Sequence, residues 1–323
     1  MKLKDLENYI NKILVFYSPD KAKYWNSITK CVINKKPEKL GRYYLDFISK
    51  AKYTGKFSKN KIPLTSYKGQ PFIEHPTVIA QYALGVFEIL YQKNFNDEVL
   101  KNEFNNLVNW FIQNKVELKS GKGWTIDILY PEYGIYHPWI SAMTQGEVIS
   151  VLVRGAMLFD NPKFEELAVD ALSPFTYEVK DGGLVNYFNS IPVYEEAPTK
   201  HKTSAVLNGF IFSLFGLYDL YLYNKNDLAF RLFSTGINSL KNLLSYYDIG
   251  YWTRYRLMEY PGKYYSSFTY HILVIEQLKA LYYLTDEKCF MEYSKKWTEY
   301  SDSFFNRTRA LLHKLTLSNS VII

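Results

Sequence analysis

From about residue 79 onward the chain alternates two kinds of helical segment, one apolar nearly all round and one apolar along a single stripe. That alternation limits the fold more tightly than any composition figure. The all-round segments are 79–92, 142–159, 204–223 and 267–284. A helix apolar on every face has to be covered on every face. Each is followed by a striped partner: 97–115 with Leu100, Phe104, Leu107 and Phe111; 162–172 with Phe164, Leu167, Ala168 and Ala171; 226–244 with Ala229, Leu232, Phe233, Ile237, Leu240 and Leu244; and 287–315. The pairs recur at nearly equal spacing, which is the mark of repeated helical hairpins. The expected fold is mainly α: an α/α toroid, an incomplete barrel of about four helical hairpins, with the all-round helices lining the axis.

The connections 116–141, 173–203 and 245–266 are too long to be plain links, so β-hairpin insertions are expected in them. One such hairpin is expected to pair Phe175–Lys180 with Leu184–Phe188 through Asp181-Gly182-Gly183. All three connections should leave the toroid at one end, which makes that end the cleft. Residues 1–78 read as a small mixed region, a short helix and a strand-like Tyr43–Phe47 stretch, packing on a helical body of residues 79–323.

Within this frame residues 194–221 stand out. Glu195 and Glu196 precede Ala197-Pro198-Thr199, and Pro198 disfavours helix at Ala197, so the two acids sit on extended chain. Thr203 or Ser204 can cap the apolar helix that follows. Carboxylates held on a loop over a rigid helix suit an active-site edge. The chain also carries 30 Tyr; most will be packing, but phenol rings also line saccharide clefts, where they stack and hydrogen-bond.

Net charge is +7, largely from Lys, which suits an anionic polymer as partner. No phosphate loop, zinc finger, basic region or RNP-like aromatic motif is present, so nucleic acid is not the expected partner. Cys31 and Cys289 lie far apart and in no metal-type spacing, so neither a disulfide framework nor a metal site is expected. The N-terminal stretch lacks the apolar core of a signal peptide, and no later run reaches spanning length. No membrane association and a cytoplasmic location are therefore expected.

Four stretches resemble the D-glucuronyl C5-epimerases. They are Ile79-Ala80-Gln81-Tyr82-Ala83-Leu84-Gly85; Trp139 to Gly146 with Val151-Leu152-Val153-Arg154; the Glu195-Glu196 block with Val206 to Phe210 and Gly216 to Leu220; and Tyr247-Asp248-Ile249-Gly250 followed by Tyr255 and Tyr270-His271. The resemblance implies a cofactor-independent exchange of hydrogen at C5 of a glucuronate in an acidic, heparosan-like polysaccharide, giving iduronate. It also implies a homodimer. In that chemistry a weakly acidic C–H lies beside a charged carboxylate, so the site must neutralise that carboxylate and stabilise an enolate-like intermediate.

Carried over residue by residue, the resemblance implies that Glu196 and Tyr270 are the acid/base pair and that Tyr255 assists. Without it, Glu196 reads as a solvated loop acid and Tyr270 as a core hydroxyl. Glu195, Arg154, Arg254, Arg256, His137, Tyr251 and His271 are the candidate substrate contacts. Asn208, Asp219 and Gln145 read as satisfying their neighbours inside the helical body. Two positions depart from the family pattern. Ala197 stands where the family has a Tyr, and Met258 stands where it has an Arg that Arg254 or Arg256 could replace. Three readings stay open: epimerase, uronate lyase through the same carbanion, and a binding protein without turnover.

Overall fold

In the computed structural model the described residues are 13, 16–17, 24–136, 138–199, 202–259 and 264–320. Their elements are α1 (Ile48–Ala51), α2 (Pro76–Gln92), α3 (Glu98–Asn114), β1 (Val116–Leu118), β2 (Gly121–Gly123), α4 (Ala142–Phe159), α5 (Pro162–Asp170), β3 (Val185–Phe188), β4 (Ile191–Tyr194), α6 (Leu207–Asn224), α7 (Asp227–Tyr247), α8 (Phe268–Thr285), α9 (Lys288–Asp302) and α10 (Phe304–Ser320). The fold is mainly α.

Helices α2, α4, α6 and α8 are the inner row, each beginning within three residues of its expected start. They pack side by side in chain order, and α3, α5, α7 and α9 each pair outward with the inner helix before them. Sequence-local signals set several boundaries. Asp97, Asn161, Asn226 and Ser267 each accept a hydrogen bond from a backbone N–H in the first turn of the helix they precede. The stripes fall as expected, with Phe104, Leu107 and Phe111 of α3 and Phe233, Ile237, Leu240 and Leu244 of α7 buried.

The tightest inner contact is α4 on α6. A Cβ built on Gly216 would lie 2.0 Å from the carbonyl oxygen of Gly146 and 2.5 Å from its Cα. Backbone meets backbone there, so no side chain can move aside. Gly216→Ala, which in an exposed helix would gain about 1 kcal/mol of helix propensity, is expected instead to cost about 1–3 kcal/mol by overpacking. The midpoint of urea unfolding measures it.

Three local expectations are corrected. The segment 287–315 is not one helix: the chain breaks at Ser303, which is extended (φ −75°, ψ 117°), and its hydroxyl accepts from Asn306 N to start α10. The hairpin in 173–203 pairs Val185 with Tyr194 and Phe188 with Ile191. It turns through Asn189 and Ser190, both at positive φ (50° and 67°), which the two-residue turn of twisted strands requires. Asp181-Gly182-Gly183 also turns, but Pro174 and the Gly182 N–H bond to Val179 O give single-turn helices there rather than a strand. Tyr43–Phe47 makes one bridge, Cys31 to Leu45, and no strand.

Residues 24–51 lie between α8 and α2. Cys31 N donates to Glu276 on α8, and α1 packs on α2. Tyr43, Tyr44 and Phe47 are buried and meet Phe212 and Phe215 of α6. The incomplete ring of inner helices is thus filled by the N-terminal segment. Among the described residues no helix is long and apolar enough to cross a membrane.

Candidate active site

The N-terminal ends of all four inner helices open on one cavity of about 210 Å³. Val78 and Gln81 of α2, Met143 of α4, Asn208 of α6 and Tyr270 of α8 line it, with Glu196 above them. The connection 116–141 contributes Ile126, Tyr130 and Trp139 to the same wall. The long connections and the helix starts therefore meet at one end of the barrel.

Glu196 follows β4 and reaches over the first turn of α6. Its Oε2 accepts from Asn208 Nδ2 at 3.3 Å and its Oε1 from the Tyr255 hydroxyl at 3.3 Å. A Cβ on Gly209 would lie 2.1 Å from Oε2, so the carboxylate sits directly on the helix backbone at a place only glycine leaves open. Burial raises its pKa to about 7, against the lowering pull of the Tyr255, Asn208 and Gly209 N–H hydrogen bonds. Such a carboxyl changes charge near neutral pH, as a general base should.

Tyr270 stands on the first turn of α8, its ring 5.0 Å from that of Tyr255 at 65°. Burial and the charge of Glu196 push the Tyr270 phenol well above its ordinary range, while a hydrogen bond with Tyr255 pulls it down. Burial and Glu196 push Tyr255 upward too. Both phenols are therefore protonated while Glu196 ionises. A chain of exchangeable protons runs from Glu196 through Tyr255 to Tyr270.

The other expected contacts lie elsewhere. Glu195 is fully buried, and its carboxylate accepts from Ser204 N, Ser204 Oγ and Ala205 N. It anchors the start of α6, where Thr203 and Ser204 were the expected caps and where Val206 holds the cap position without a side-chain bond. Arg154, also fully buried, is neutralised by Asp219 at 2.6 Å, so its required partner is internal. His271 lies between Thr253 Oγ1 (2.8 Å) and Trp297 O (2.9 Å), stacked at 3.8 Å on Trp252, and burial depresses its pKa to about 3. It is a neutral strut.

Arg254 pairs with Glu259 at 3.1 Å, and Tyr251 lies under Arg309, whose guanidinium is 3.8 Å from its ring. Arg256 stacks on Tyr133 (4.7 Å) and Tyr264 (5.3 Å) and hydrogen-bonds the Tyr133 phenol. None of these three lines the cavity. His137 lies outside the described residues. Gln145 spends its amide on Trp124, Lys122 and Ala171, as expected of a buried helper.

Four cavity or near-cavity groups carried no signal in the sequence: Asn208, taken for an internal helper, and Tyr130, Tyr133 and Lys50. Ala197 is 2% exposed and packed among Ile126, Ile128, Ile135 and Trp139, with Tyr130 and Tyr133 against the same cluster. Phenols from the 116–141 connection thus crowd the position where the family resemblance places a Tyr.

A sequence profile described as D-glucuronyl C5-epimerase C-terminus matches residues 119–299. The chain is 32% identical over 211 residues to the D-glucuronyl C5-epimerase of Caenorhabditis elegans, covering 59% of this chain and 34% of that protein. It is 27% identical over 180 residues to an uncharacterised protein of Methanocaldococcus jannaschii, covering 54% of this chain and 57% of that one. The chain thus spans about a third to a little over half the length of these relatives. A solved structure, the unsaturated glucuronyl hydrolase of Bacillus sp. GL1, superposes with a TM-score of 0.49 at 15% identity, over 71% of this chain and 62% of that one.

Proposed function

Because the chain belongs to the D-glucuronyl C5-epimerase family, matched by its C-terminal profile over residues 119–299, we propose that the cavity takes a glucuronate ring and inverts it at C5. The observation that carries this reading is that Glu196 and Tyr270 line one cavity and are joined through the Tyr255 hydroxyl. Glu196 takes the proton from C5, leaving an enolate-like intermediate that conjugates with the sugar's own carboxylate. Tyr270, kept protonated, returns a proton to the opposite face of C5. Its phenolate then takes a proton from Tyr255, which takes one from Glu196, and the site is reset without a cofactor. The cavity is smaller than the roughly 300–1,000 Å³ of sites for drug-sized ligands, which suits one sugar ring with the polymer running out past the cleft.

The test is incubation of a heparosan oligosaccharide with the protein in heavy water. Deuterium at C5 and some iduronate, with chain length unchanged, is the expected result with Ala197 in place. An unsaturated uronate, seen as new ultraviolet absorbance, would replace this reading by a lyase. Binding without any deuterium would replace it by a glycan-binding protein.

A further inference from the structure

We propose that Lys50 is the cation that receives the sugar's carboxylate. This rests on reading the cavity as a uronate site, and it names a residue in the N-terminal segment, outside the stretch that the family profile matches.

A glucuronate carboxylate at C6 sits one bond from the carbon that exchanges its hydrogen. Removing that hydrogen piles further negative charge onto the same group, so a fixed cation beside it lowers the barrier more than it favours the ground state. The arginines of the region do not line the cavity. Arg154 is paired with Asp219 and Arg254 with Glu259, and Arg256 lies over the Tyr133 and Tyr264 rings. Among the described residues lining the cavity, Lys50 is the one Lys or Arg.

Its surroundings are unusual for a lysine. Long cationic side chains normally reach water at the tip, yet Lys50 is only 3% exposed. Its Nζ carries three donors but, among the described residues, makes a single long hydrogen bond, 3.4 Å to Trp25 O, with the Phe47 ring 4.9 Å away. No described carboxylate lies within ion-pair distance. Glu147 is the acid whose field reaches it, and burial drives Glu147 toward its neutral form, with one oxygen held by Gln81 at 2.9 Å. Burial lowers the Lys50 pKa to about 8, against the field of Glu147, so at neutral pH Lys50 is a buried cation with no described carboxylate at ion-pair distance. A buried charge of that kind is costly unless something pairs with it, and an incoming carboxylate supplies the pair.

Position supports the assignment. Tyr43, Tyr44 and Phe47 lock the preceding residues against α6, and α1, which carries Lys50, packs on α2. The ring then has an acid at Glu196, a phenol at Tyr270 and a cation at Lys50, all lining one space.

The experiment compares binding of a heparosan hexasaccharide with that of its carboxyl-reduced form, in which each uronate is a neutral hexose, by calorimetry at low salt. The wild-type chain is expected to prefer the uronate form about tenfold or more, equal to 1.4 kcal/mol. Lys50→Gln and Lys50→Met are expected to bind the two forms within about twofold and to lose exchange mainly through kcat, and Lys50→Arg to regain most of the preference. A well-folded Lys50→Gln that keeps the wild-type preference would overturn the assignment while leaving the proposed function standing. A wild-type chain that exchanges no deuterium and prefers neither form would overturn both. Should the Gln and Met variants fail to fold, acylation of Lys50 in the wild-type chain decides: the uronate hexasaccharide should slow it several-fold and the reduced one should not, whereas equal rates would reject the assignment.

Discussion

Glu196→Gln is expected to remove hydrogen exchange at C5 by about 10²–10⁴-fold, the usual contribution of a positioned proton acceptor, while oligosaccharide affinity changes less than tenfold. Glutamine keeps the shape and can still meet Asn208 and Tyr255, whose bonds to the carboxylate are 3.3 Å each. What it lacks is a basic lone pair that can carry a proton away. The pH profile of the wild-type chain gives an independent check. With a folded-state pKa raised to about 7, exchange should climb as pH passes through 7 and decline again as Lys50, its pKa lowered to about 8, loses its proton. Stability should move the other way. Because the folded value lies above the ordinary 4.5, the native state binds the proton more tightly, and ionising Glu196 costs stability as pH rises from about 4.5 to about 7. Glu196→Gln should thus be at least as stable as wild type at pH 8 and differ little at pH 4. Substantial exchange in the variant, with an unshifted profile, would assign the base elsewhere.

Why some of this could be read along the chain and some could not has a physical basis. Helix periodicity is local: burial of α7 follows from residues three and four apart, so Phe233, Ile237, Leu240 and Leu244 declare themselves without any knowledge of the neighbours. The position of Glu196 is similarly local, set by Pro198 and the glycine that lets α6 approach it. Pairing of charge is not local. Arg154 and Asp219 are 65 positions apart, and sequence alone states only that a buried guanidinium needs an anion, not whether that anion belongs to protein or substrate. Glu195 and His271 show the same limit: each satisfies polar atoms inside the fold, at Ser204 and at Trp297, with partners that lie far off or beyond reach of local patterning. The turn at Asn189-Ser190 lost to Asp181-Gly182-Gly183 because two glycines are the louder turn signal, although Asn tolerates the same positive φ. Lys50 gave no warning at all, since a lysine in the run Ile48-Ser49-Lys50-Ala51-Lys52 is the ordinary look of a solvated helix edge.

Arg154→Met is the substitution expected to harm the fold most. The guanidinium is fully buried and divides its donors among Asp219 Oδ2 (2.6 Å), Asp219 Oδ1 (3.2 Å), Ser150 O (2.9 Å), Gly41 O (3.0 Å) and Arg42 O (3.2 Å). The rings of Tyr43 and Phe87 lie 5.3 and 5.6 Å from it. Methionine fills much of the volume, so the loss is electrostatic: Asp219 stays buried with the Tyr44 hydroxyl, 2.7 Å away, as its remaining donor. Breaking a buried pair from one side costs about 3–5 kcal/mol, which urea unfolding should register as a lower midpoint with little change in slope. The double change Arg154→Met with Asp219→Leu should recover a large part of that loss, because replacing both charges leaves none unpaired. A functional effect should accompany the structural one. Two of the five bonds hold the carbonyls of Gly41 and Arg42, and these precede the Tyr43–Phe47 stretch that seats Lys50. The double variant restores the charge balance but not those two bonds. It should therefore fold and yet discriminate less well between a uronate ring and its carboxyl-reduced form. If the refolded double variant keeps the full wild-type preference, the carbonyl contacts of Arg154 do not govern where Lys50 stands.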